Sequence, residues 1–100
     1  MTVVVLTTIK VKEGSVDEVA RLFEETNRPL VADQPDWLGA WFTGSRDRSE
    51  ITNIALWKSA ESYERLRCSE AFQRTMSQFS DLLLGSPAVL INELLVEMTP

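Results

Sequence analysis

Apolar positions along this chain switch between the two-residue period of a strand and the wider period of a helix. Val3 to Val11 is rich in β-branched residues and reads as a strand. Gly14 ends it, and Ser15 with Glu18 has the spacing of a capping box, with Asp17 and Glu18 near the positive end of a helix. Val16, Val19, Ala20, Phe23 and Asn27 share one mostly apolar helical face, which predicts a helix from about 16 to 28 that Pro29 ends or kinks. Ala32 to Asp36 reads as a loop. Trp37–Ser45 and Glu50–Lys58 read as two strands joined by the polar turn Arg46–Ser49, a hairpin. Ser59 is a suitable cap for a helical region from Ala60 to Arg67, and Ser69 for a second segment. There Phe72, Met76, Phe79 and Leu83 recur as an amphipathic stripe that Gly85 and Pro87 stop. Ala88–Met98 is the predicted last strand.

The order β-α-β-β-α-β is that of an α+β, ferredoxin-like domain spanning residues 1–100, with a four-stranded antiparallel sheet and helices on one face. Such a sheet normally alternates apolar and polar residues when its other face meets water. Here both faces are apolar. Val3, Val5 and Ile9 oppose Val4 and Leu6; Ile51, Ala55 and Trp57 oppose Ile54 and Leu56; Val89, Ile91 and Leu95 oppose Leu90, Leu94 and Val96. Helices on one side leave the other face bare, and no loop is long enough to cover it. The expectation is a homodimer closed through the sheet face. Asn92 interrupts the apolar fourth strand, and alternation alone does not assign its face.

Composition narrows the functions. Ten Lys and Arg against fifteen Asp and Glu give a net charge of −5, with no basic run, which excludes a nucleic-acid or membrane-surface module. No stretch has the length of a membrane span, and the N-terminus lacks the basic start of a signal peptide. Cys68 is the only cysteine; it fits a reducing, cytoplasmic setting and reads as a small, partly buried side chain. There is no histidine, so Ser-His-Asp and Cys-His arrangements are impossible and zinc lacks a ligand set. The glycines are isolated and form no phosphate loop.

What remains is the run from Asn53 through Trp57 to Tyr63. On a strand, Asn53 and Trp57 point the same way, about 13 Å apart at ~3.3 Å per residue. Tyr63, on the first turns of the next helix, reaches the same face if that helix folds back. An amide, an indole N–H and a phenol then rim an apolar slot. The alternative is that Asn53 bonds a nearby backbone group and Trp57 is core. Trp41, Phe72 and Phe79 are candidate walls and Arg74 a further candidate contact; for these the alternatives are core packing and a solvated position.

The strand end Ala55-Leu56-Trp57-Lys58-Ser59 running into Glu61 and Tyr63, with Ser69-Glu70-Ala71-Phe72 opening the next helix, resembles the antibiotic biosynthesis monooxygenase family, within the dimeric α+β barrel superfamily, over nearly the whole chain. The resemblance implies a cofactor-free oxygenase that converts a phenolic, anthrone-type or hydroquinone-type aromatic to a quinone with O2. It places Asn53, Trp57 and Tyr63 at the catalytic positions. The haem-degrading branch needs a histidine on the second helix, where this chain has Leu66-Arg67-Cys68, so haem is disfavoured. A second reading is a non-catalytic dimer that binds a small apolar ligand in the same slot.

Overall fold

Val3–Lys10 forms β1, and the computed structural model describes all of Met1–Pro100. Helix α1 spans Val16–Val31, β2 Trp37–Ser45, β3 Glu50–Trp57, α2 Ala60–Arg67, α3 Glu70–Ser77 and β4 Ala88–Glu93. The sheet is antiparallel throughout, in the order β2-β3-β1-β4. This is the expected α+β, ferredoxin-like arrangement, with the second helical region split into α2 and α3.

Residues paired across an antiparallel ladder share a face. Val5 pairs with Ala55 and Ile91, and Ile9 with Ile51. These rows, with Val3 and Trp57, face the helices, where all but Ile91 are buried. They build two core clusters. Ile9, Val11 and Ile51 pack with Val16, Val19 and Phe23 of α1 and with Phe79. Val3, Val5, Ala55 and Trp57 pack with Tyr63 of α2. The close seating of α1 needs Gly44: a Cβ there would stand 3.0 Å from Val16. The other face carries Val4 with Leu56, and Leu6 with Ile54, Trp41 and Leu90; Trp41 and Leu90 are 55% and 64% exposed. Asn92 pairs with Val4 and so belongs to this open face.

Local signals held unevenly. Ser59 and Ser69 cap α2 and α3, accepting from Ser62 N–H and Phe72 N–H. Ser15 precedes α1 but makes no side-chain capping bond. Its φ of −101° and ψ of 2° are turn values, not the extended backbone from which a cap reaches the helix. Pro29 does not end α1. The helix runs on to Val31 and the Ala32 N–H still bonds the Arg28 carbonyl at 2.9 Å, so the ring removes only the bond to Glu25.

The stripe predicted to run to Leu83 stops as helix at Ser77. Three consecutive leucines, Leu82–Leu84, cannot share one helix face. The chain instead lies against the end of β1. Leu84 N–H donates to Lys10 O at 2.9 Å, Lys12 N–H donates to Leu82 O at 3.0 Å, and Val11 bridges Leu83 rather than extending β1. Likewise β4 ends at Glu93, not Met98, because its partner β1 is exhausted at Val3; Leu94 N–H makes the last bond, to Thr2 O. Cys68, expected partly buried, is exposed at the C-cap of α2.

Candidate active site

Between the helix-facing side of the sheet and the three helices lies a cavity of about 800 Å³, within the range that encloses a fused-ring ligand. Its floor is the sheet row that carries Asn53, which pairs with Thr7 on one side and Phe42 on the other. Asn53, Trp57 and Tyr63 all line it. The three residues expected from the sequence to share a slot therefore line one cavity.

Asn53 decides the character of the floor. Its carbonyl Oδ1 is buried and has no hydrogen-bond partner in the protein. The backbone groups around it are spent on the ladders to β1 and β2. The reading in which Asn53 simply bonds a nearby backbone group is thus overturned at Oδ1. An orphaned buried carbonyl costs about 1–3 kcal/mol, a sum the fold recovers only if something entering the cavity supplies a donor.

Trp57 is 2% exposed and packs against Tyr63, ring centroids 6.2 Å apart and tilted by 60°. The first turn of α2 is locked by hydrogen bonds around the buried Ser62. Ser62 donates to the Asp36 carboxylate, lies 3.0 Å from the Ser59 hydroxyl, and accepts from Arg65 at 3.1 Å. This ties α2 to the chain entering β2 and fixes Tyr63 over the sheet. Burial pushes the Tyr63 phenol above its ordinary value of 10.0; Glu64 adds to this, while Arg67 and the Thr7 hydroxyl pull it part of the way back. Near neutral pH the phenol keeps its proton and acts as a donor, not as a phenolate base.

The remaining candidates divide. Phe72 lines the cavity from α3. Trp41 borders it from the edge strand, yet its register partner is Ile54, a residue of the open face. Phe79 does not reach the cavity. It is 0% exposed, stacked on Phe23 at 4.3 Å, and belongs to the core because the chain leaves α3 just before it. Arg74 also lies outside, on the solvent side of α3, paired with Glu70 at 3.1 Å.

Sequence reasoning missed other polar lining residues, among them Thr7, Asn27, Arg28, Arg67 and Gln73. Two carried a signal. Thr7 shares the strand face of Val5 and Ile9, and Asn27 the helix face of Val19 and Phe23, so each is a polar break in an apolar row. No three His, Cys, Asp or Glu side chains gather closely enough to hold a metal ion, and no helix is long and apolar enough to cross a membrane.

Comparison with known proteins follows the same geometry. Residues 2–78 match the model of the antibiotic biosynthesis monooxygenase family. No curated protein matches the chain by sequence. Among solved structures, Rv0793 from Mycobacterium tuberculosis superposes with a TM-score of 0.78 at 17% identity, over 99% of this chain and 100% of that one. The cofactor-independent oxygenase SnoaB from Streptomyces nogalater gives 0.76 at 19% identity, over 98% of this chain and 95% of that one. A conserved protein from Methanosarcina mazei Go1 gives 0.76 at 16%, over 91% and 90%. At such identities the likeness is one of fold.

Proposed function

Because the chain belongs to the antibiotic biosynthesis monooxygenase family, we propose that its cavity oxidises a phenolic, anthrone-type aromatic to a quinone with O2, without a cofactor. The observation that carries this reading is the buried, unpartnered Oδ1 of Asn53, a residue that lines a mostly apolar cavity together with Trp57 and Tyr63. SnoaB, a cofactor-independent oxygenase, shares the fold and supports the reaction class.

The chemistry asks little of the protein. A phenol-type substrate is itself electron-rich, and once its proton has passed to solvent water it gives an electron to O2. Carbon–oxygen bond formation then yields a peroxide. Loss of water from it leaves the quinone: a CH2 group and O2 become C=O and H2O. The protein's part is to hold the ring, exclude water and stabilise developing oxyanions. The Asn53 carbonyl accepts the substrate O–H, and its amide N–H2 and the Trp57 N–H donate to the phenolate or peroxide oxygen. Tyr63, held protonated by burial, supplies a proton to the departing oxygen.

The direct test is oxygen uptake on adding a panel of anthrones and hydroquinones, with a metal chelator present. The expected result is consumption of one O2 per anthrone, unchanged by the chelator. Binding of the same compounds with no uptake would leave a ligand-binding protein and remove the enzyme.

The same proposal includes a homodimer. The open sheet face carries Leu6, Ile54, Trp41 and Leu90 in one row, a contiguous apolar patch of the kind that marks an interface. A second copy covers it with the same residues about a two-fold axis. Sedimentation is expected to give twice 11.3 kDa at micromolar concentration, and Leu90→Lys, at a position 64% exposed in the single chain, to give monomer. A wild-type protein sedimenting at 11.3 kDa would refute this.

A further inference from the structure

Ser62 is the only polar residue buried in this chain, at 4% exposure. It adjoins Tyr63, and these two are the only buried residues of α2. A helix of eight residues has little stability of its own. The rest of α2 is mostly charged, and only Ala60 and Leu66 add apolar contact with the core. The placement of this cavity wall therefore rests largely on one ring and one hydroxyl.

That hydroxyl does more than capping requires. Ser59 already accepts the Ser62 N–H and caps the helix without help. The Ser62 O–H goes instead to the Asp36 carboxylate, 26 residues earlier in the chain. A hydroxyl bonded to a carboxylate makes one of the stronger hydrogen bonds open to a side chain. Asp36 also accepts the Lys58 N–H on its backbone carbonyl, at 2.9 Å. It thus holds the residue after Trp57 with its backbone and the residue before Tyr63 with its side chain. The two rings, their centroids 6.2 Å apart, are set against each other from this one point. At the other end of the Tyr63 ring the Thr7 hydroxyl faces the phenol, and Thr7 is the ladder partner of Asn53.

We propose that Asp36, acting through Ser62, is a positioning residue that holds the Tyr63 phenol at the cavity floor for the reaction carried out there. This rests on the oxygenase reading for the phenol's part as proton donor, whereas the placement itself does not. Neither Asp36 nor Ser62 lines the cavity, so both act through Tyr63 and not on the ligand. Proton transfer suffers steeply from a misplacement of about 1 Å, while retention of a ring by apolar walls does not.

Tyr63 is the only tyrosine of the chain, so tyrosinate absorbance during alkaline titration reports this phenol alone. In the wild type its midpoint is expected above 10.0, because burial holds the proton; Glu64 and Arg67, the charged groups that act on it, are kept in every variant. Asp36→Ala and Ser62→Ala should each bring the midpoint back toward 10.0 as the ring is released to water. Asp36→Asn keeps an oxygen to accept the Ser62 hydroxyl and should stay near the wild type. Where alkali unfolds a variant first, nitration of Tyr63 by tetranitromethane in mildly alkaline buffer reads the same release, faster in the two alanine variants. With an anthrone, kcat for oxygen uptake should fall about 100-fold in those variants with KM little changed, and recover in Asp36→Asn. Titration and nitration unmoved in both alanine variants would overturn the proposal, as would a loss of turnover that Asp36→Asn fails to restore. Wild-type uptake with an unmoved titration keeps the oxygenase and refutes the positioning; a moved titration in a protein that takes up no oxygen keeps the hold of Asp36 on Tyr63 and refutes the oxidation.

Discussion

Asn53→Ala is expected to lower anthrone oxidation by about 100-fold or more, the loss typical of removing a donor that stabilises a developing oxyanion. It should do so without unfolding the protein. The Oδ1 it removes is buried and unbonded, so its loss breaks no hydrogen bond and relieves the cost of an orphaned carbonyl. The purified variant should therefore be as stable as the wild type, or more stable by about 1 kcal/mol. This pairing of lost activity with kept or raised stability is the mark of a group retained for function at the fold's expense. A packing residue would behave in the opposite way. Thermal melting and oxygen uptake on the same preparations check both halves, and undiminished turnover in the variant would remove Asn53 from the chemistry.

The Asn53 argument shows where sequence reasoning had purchase. Strand period alone put Asn53 and Trp57 on one face, and the ladders confirm it, with Asn53 beside Thr7 and Trp57 beside Val3. The doubly apolar sheet was equally legible, because alternation is a property of the backbone and needs no knowledge of partners. Failure came where the outcome depended on what the chain meets in space. Leu95, Val96 and Met98 alternate like a strand but find no neighbour in one chain, and stand 81%, 73% and 90% exposed. Leu83 continues a helical stripe on paper, yet the open end of β1 offers backbone bonds that draw the chain out of the helix. Arg28 and Arg67, which line the cavity, were invisible for a related reason. Each sits four residues or fewer from a glutamate, so in sequence it reads as an ordinary helix-surface pair. Only the third dimension brings two such helix ends to one cavity.

Phe79 supplies the sharpest contrast with Asn53. Phe79→Ala is expected to cost about 3–5 kcal/mol of stability, the range for truncating a fully buried aromatic ring. The ring is 0% exposed and stacks on Phe23 at 4.3 Å; Phe23 in turn stacks on Phe42 at 5.6 Å. Removing it leaves a hole at the junction of β1, α1 and the segment after α3, and forfeits part of the aromatic stack. In a chain of 100 residues, whose total stability is on the order of 5–15 kcal/mol, this is a large share. The melting temperature should fall by more than about 10 °C. Catalysis should respond differently. Phe79 does not line the cavity, so the folded fraction at low temperature should keep its turnover and its affinity for anthrones. Phe72→Ala makes the opposing case: a half-buried ring on the cavity wall, whose loss should weaken ligand binding more than stability. Measured melting curves and substrate affinities for the two variants would therefore cross. If Phe79→Ala lost affinity while its melting point held, the ring would belong to the binding wall after all, and the boundary between core and cavity drawn through α3 would have to move.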